Sequence, residues 1–133
     1  MAINTHGMAP LIQVYDMPTS IRFYCDQMGF KLVQQSWPGD DYDWAMLELN
    51  DATIMLNTAY DKGERPDTPD PTRISGHEDV TIFFGCPDVD AAYAELISRN
   101  VNAEKPFITK YGFKAMNVKD PDGYGLCFHW PLE

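Results

Sequence analysis

Near the C-terminal end, the run Cys127-Phe-His129 sets a thiol and an imidazole two residues apart. On an extended strand, residues two apart share a face. The pair therefore offers a base or hydrogen-bonding ring beside a nucleophile or soft ligand. Other strand-like runs carry Gln13, Asn57 and Thr81 on one face, with Met55 among them, and Trp44 and Phe83 add flat surfaces on which a planar ligand stacks. Together these residues suggest a hydrogen-bonding and stacking patch for a small molecule. For His129 two readings stay open, a ligand contact or a partly solvated structural residue. For Trp44 and Phe83 the open choice is between ligand and packing. The sequence has no GxSxG, Walker loop, HExxH or dinucleotide fingerprint. The catalytic residues are therefore unknown from sequence. His77-Glu78 ends a polar stretch and is expected to be solvated, and His6 is expected to be inert.

The elements that position these residues follow from alternation and punctuation. Asp120-Pro-Asp-Gly123 reads as a tight turn. After it, Tyr124, Leu126, Phe128 and Trp130 face a core, and Gly125, Cys127 and His129 face a cavity. Ala9–Tyr15 is a strand. Asp16 and Thr19 are candidate caps for a helix that Gly29 stops. Phe30–Gln34 is a short strand, and Trp44–Leu49 and Ala52–Asn57 form a hairpin across Asn50-Asp51. Thr58–Asp79, rich in Pro, Gly and charge, reads as a linker. The pattern then restarts, with a strand at Asp79–Gly85, a helix capped by Asp88, a short strand at Val101–Lys105 and a strand at Lys114–Val118. The halves superpose at an offset of about 70 residues, each reading β-α-β-β-β. The expected fold class is α+β, two tandem βαβββ modules forming a cupped mixed sheet. Residues 1–133 are expected to make a single domain: module 1 over about 8–58, a linker over about 59–78 and module 2 over about 79–131.

Composition narrows the function classes. With 133 residues, 44% of them hydrophobic, the chain can bury a core, and a formal charge of −10 disfavours nucleic acid as a partner and permits a cationic ligand. No apolar run approaches the roughly 20 residues of a membrane helix, and MAINTHGMAP lacks the pattern of a secretory leader. A cytoplasmic protein with no membrane partner is expected. Cys25, Cys86 and Cys127 are far apart, which suggests reduced thiols.

Three stretches, Leu11-Ile-Gln-Val-Tyr-Asp, Phe23-Tyr24 and Met28-Gly-Phe30, resemble the opening of the vicinal oxygen chelate superfamily. That superfamily includes glyoxalase I, extradiol dioxygenases, fosfomycin-modifying enzymes and bleomycin-resistance proteins. Pro87-Asp-Val-Asp-Ala-Ala-Tyr resembles its second helix and Asp120-Pro-Asp-Gly-Tyr its last turn. The resemblance implies metal-ligand positions at Ala9, Met55, Thr81 and Cys127. Of these only the Cys127 thiolate suits a metal, so no metal and no cofactor are expected. What remains resembles the bleomycin-resistance branch. That branch implies a homodimer holding a cationic, aromatic antibiotic in a cup at the dimer interface, through Gln13, Trp44, Met55, Asn57, Thr81, Phe83, Cys127 and His129. The alternative is a superfamily enzyme (lyase, isomerase or dioxygenase) with a non-standard or metal-free active site that uses His129 or Cys127 as base.

Overall fold

Alternation decides which face of each strand is buried. In Leu11–Val14, Ile12 and Val14 are buried while Leu11 and Gln13 are not; in Ala52–Thr58, Ile54 and Leu56 are buried while Met55 and Asn57 are half-exposed. A computed structural model describes residues 2–133. It divides into two compact units, one running to Arg65 and the other from Pro66 to Glu133.

The first unit is a four-stranded mixed sheet in the order β1-β4-β3-β2. Its strands are β1 (Leu11–Val14), β2 (Lys31–Gln35), β3 (Trp44–Leu49) and β4 (Ala52–Thr58). Helix α1 (Met17–Ile21) begins where expected. The Asp16 carboxylate accepts from Thr19 N–H at 3.2 Å, and Pro18 sits in the first turn. The helix then widens into a π-type turn, Arg22–Gln27, in which Met28 N–H reaches back five residues to Phe23 O at 2.9 Å. Gly29, at φ +90°, ends it. Only Asn50 of the hairpin pair Asn50-Asp51 takes positive φ.

Asp16 also pairs with Arg65. Partial burial pushes the Asp16 carboxyl up, but hydrogen bonds from Thr19 and Arg65 outweigh burial and hold it below the ordinary carboxylate value. Folding therefore favours the charged form. The contribution is complete above the unfolded pKa of about 3.9 and is lost as pH falls through the lower folded value. Asp16→Ala is expected to cost about 1 kcal/mol at neutral pH through the lost cap. Urea melts at pH 7 and pH 3 check it: the gap between variant and wild type should shrink at pH 3.

The second unit repeats the topology as β5-β8-β7-β6. Its strands are β5 (Thr81–Gly85), β6 (Phe107–Ile108), β7 (Phe113–Lys119) and β8 (Gly125–Pro131). Helix α3 (Val89–Ser98), capped by Asp88, buries Val89 and Leu96 and lies against β7 and β8. The α+β architecture and the internal repeat read from the sequence are both present.

Four local expectations change. The strand placed at Val101–Lys105 is reduced to a single bridge, Ala103 to Val118, and β6 lies further on. Val101 N–H is spent on Leu96 O at the helix end, and Pro106 has no N–H to offer a ladder. The linker stretch contains a helix, α2 (Pro71–His77), capped by Asp70. His77 is not simply solvated: its ring stacks on Tyr124 at 4.1 Å, and its Nδ1 meets Asp122 O at 2.7 Å. Trp130 is 44% exposed although its strand mates Leu126 and Phe128 are core. It falls one residue beyond the last pair that β5 makes with β8, Gly85 with His129, and its ring lies over Gly85.

Candidate functional site

In the first unit, three of the residues singled out from the sequence form one rung across the sheet. Gln13 on β1 is in register with Asn57 on β4, which is in register with Trp44 on β3. Asn57 Nδ2 approaches Gln13 Oε1 at 3.5 Å and donates to Thr58 O at 3.2 Å. The neighbouring rung is apolar: Leu11, Met55 and Met46. These rungs lie on the face opposite the buried Ile12, Ile54, Leu56, Ala45 and Leu47. This face therefore offers amide groups, an indole and two thioethers side by side.

In the second unit, Phe83 is in register with Cys127, and Cys127 with Asn117. Phe83 is 54% exposed, whereas Cys127 is only 4% exposed, a small thiol between two larger side chains. Burial pushes the Cys127 thiol up, so it is protonated at neutral pH and a poor base or nucleophile. Thr81 opens β5 opposite Gly125 and lines a cavity of about 350 Å³ with Asn117 and the ion pair Lys119–Glu78, which closes at 3.2 Å.

His129 sits within an aromatic group. Phe113 stacks on it with centroids 4.9 Å apart and planes at 20°, and Phe83 meets it edge-on at 4.9 Å. Tyr111 continues the row, 5.7 Å from Phe113. Neither Tyr111 nor Phe113 is among the residues the sequence singles out, because the strand expected at Lys114–Val118 starts one residue past Phe113, where β7 begins. Its alternation with Ala115 and Asn117 was the available signal.

Two four-stranded mixed sheets of identical strand order, each βαβββ, define the class of fold. The sequence matches the glyoxalase/bleomycin resistance protein/dioxygenase superfamily over residues 6–128, and this chain belongs to that superfamily. It is 32% identical over 120 residues to uncharacterized protein YaeR of Escherichia coli K12, covering 84% of each chain. Among solved structures, it resembles TnmS3, an antibiotic binding protein from Streptomyces sp. CB03234. There the TM-score is 0.71 at 24% identity, over 98% of both chains. It also resembles a bleomycin-binding protein solved in complex with bleomycin, with a TM-score of 0.71 at 18% identity, over 94% of this chain and 98% of that one. At these identities the structural likeness concerns the fold.

The divalent-ion chemistry of the superfamily's metal enzymes does not fit the donors present. Ala9 precedes β1, Met55 stands between Leu11 and Met46, Thr81 offers one hydroxyl, and Cys127 is buried and protonated. Hard cations take carboxylate, carbonyl and water oxygens, and transition metals take imidazole or thiolate. Among the described residues no three His, Cys, Asp or Glu side chains gather as a metal cluster. Nor, among them, is any helix long and apolar enough to cross a membrane.

Proposed function

We propose that this protein binds a small, flat, positively charged molecule, of the kind represented by cationic aromatic antibiotics, without a metal. In this reading the ligand lies on the sheet faces bearing Gln13, Trp44, Met55 and Asn57, and Thr81, Phe83, Cys127 and His129, at an interface between two copies of the chain. The observation that carries it is the aromatic row of the second unit. His129 is flanked by Phe113 and Phe83 on a face where Phe83 and Tyr111 remain largely exposed. Flat rings held by one another are pre-ordered for stacking, so little side-chain entropy is lost when a planar guest binds. The acidic balance of the chain attracts a cation. Half-exposed Leu11 and Phe83 favour pairing of two copies, which light scattering measures directly. The free thiols of Cys25, Cys86 and Cys127 suit a cytoplasmic setting.

Isothermal titration with a panel of such drugs, bleomycin among them, tests the reading. His129→Ala is expected to weaken binding by about tenfold, the scale of one lost aromatic contact. Absence of binding at millimolar concentration across the whole panel overturns the drug reading. Unchanged affinity in His129→Ala removes that residue from the site.

A further inference from the structure

At the C-terminal ends of the parallel strands β1 and β4, wholly within the first unit, lies a cavity of about 460 Å³. Three rings wall it. Tyr15 and Tyr60 meet edge-on at 6.4 Å, and Trp37 faces in from the β2–β3 loop. That loop is tied down. Trp37 Nε1 donates to Asp41 O at 2.9 Å, Gln35 Nε2 donates to Trp37 O at 2.8 Å, and Ser36 Oγ accepts from Asp43 N–H at 3.1 Å. Five aspartates, among them Asp16, Asp40 and Asp41, outnumber the two basic residues of the lining, Lys62 and Arg65. A cation already occupies part of the cavity: the Arg65 guanidinium lies 5.1 Å above the Tyr15 ring and pairs with Asp16.

We propose that this cavity is a binding site for an organic cation carrying a planar guanidinium or amidine group, with Arg65 as its tethered, displaceable occupant. The pose of Arg65 displays the recognition chemistry: a flat cation over an aromatic face with a carboxylate at its edge. Arg65 is held loosely enough to yield. Its side chain is about half exposed, at 48%, and it lies within an exposed run that begins at Asp61. An exposed ion pair of this kind contributes little net stability, so a ligand that fills the cavity more completely can displace it. The volume exceeds what one guanidinium fills, leaving room for a ring on the guest between Tyr60 and Trp37. This site is separate from the sheet faces proposed above and does not depend on them.

Benzamidine is the probe, followed through the Trp37 indole N–H signal in nitrogen–proton correlation spectra, because that group belongs to the lining. Benzamidine should shift this signal saturably, and the uncharged isostere benzamide should not. Arg65→Ala, which vacates the cavity, should raise benzamidine affinity at least tenfold. The double variant Asp40→Asn, Asp41→Asn should lower it at least fivefold; both side chains are exposed, and the Trp37 bond uses the Asp41 backbone. His129→Ala should leave it unchanged. The proposal is overturned if Arg65→Ala binds benzamidine no more tightly than wild type, or if benzamide binds equally well. It is also overturned if His129→Ala abolishes the effect, which would put the amidine on the second unit's sheet.

Discussion

Asp120→Ala is expected to lower stability by about 4 kcal/mol, because two buried N–H groups lose their acceptor at roughly 1–3 kcal/mol each. Asp120 is 5% exposed, and its Oδ1 accepts from both Asp122 N–H and Tyr124 N–H at 2.9 Å. The main chain closes the same turn, through Asp120 N–H to Tyr124 O at 3.0 Å and Gly123 N–H to Asp120 O at 3.1 Å. The carboxylate therefore holds the turn from inside, and water cannot reach in to replace it. The turn feeds β8, which pairs with β7 on one side and β5 on the other. Misplacing it disturbs the whole second sheet. Asn keeps an acceptor of the same shape, so Asp120→Asn should recover about half the loss, in line with the greater strength of hydrogen bonds to a charged acceptor. Urea unfolding midpoints measure both variants. A loss under about 1 kcal/mol for alanine would show that the turn re-forms without its carboxylate.

Gly123→Ala is expected to cost about 3 kcal/mol and to release α2. Gly123 has φ +90°, where an L side chain is strained by roughly 1–2 kcal/mol. Its added Cβ would also lie 2.7 Å from Ile74 O, a backbone atom of α2, and 3.1 Å from Ile74 Cγ2. Something must shift, and the seven-residue helix, none of whose residues is buried, is the part able to move. Moving it breaks the His77 contacts, the stack on Tyr124 and the Nδ1–H donated to Asp122 O. Amide hydrogen exchange over residues 72–80 should speed up in this variant while β7 and β8 keep their relative protection. Gly123→Asn separates the two causes, because asparagine tolerates positive φ but still brings a Cβ. Fast exchange in both variants assigns the effect to the collision; fast exchange in alanine alone assigns it to the backbone.

The architecture was legible because local and global signals agreed. Period-two alternation in Ala52–Asn57 and Tyr124–His129, caps at Asp16 and Asp88, and the turn residues Asn50 and Gly123 all act within a few residues of themselves. The repeat doubled each of these signals. Where reading failed, the deciding contact was distant in sequence. Helix α2 is seven residues long and sits in a Pro- and Gly-rich run; what settles it is His77 meeting a turn 45 residues away. Trp130 followed the alternation of its strand, yet its neighbour β5 had already ended.

For the candidate site the division is similar. Alternation assigned Gln13, Met55, Asn57, Phe83 and His129 to the face opposite the core. The residue types at Ala9, Met55, Thr81 and Cys127, the places the resemblance implies for metal ligands, already show a donor set poorly suited to a divalent ion. Chain order does not show that Phe113 lies flat against His129, that the Cys127 thiol is sealed from solvent, or that Arg65 reaches back 49 residues to Asp16 across the face of Tyr15. The sequence by itself determined the two βαβββ repeats and the faces of their strands, because these depend on residue periodicity, and its motifs carried the resemblance to the superfamily. Only the tertiary structure decided the aromatic row and the arginine-filled cavity, because side chains far apart in sequence meet only once strand register brings them together.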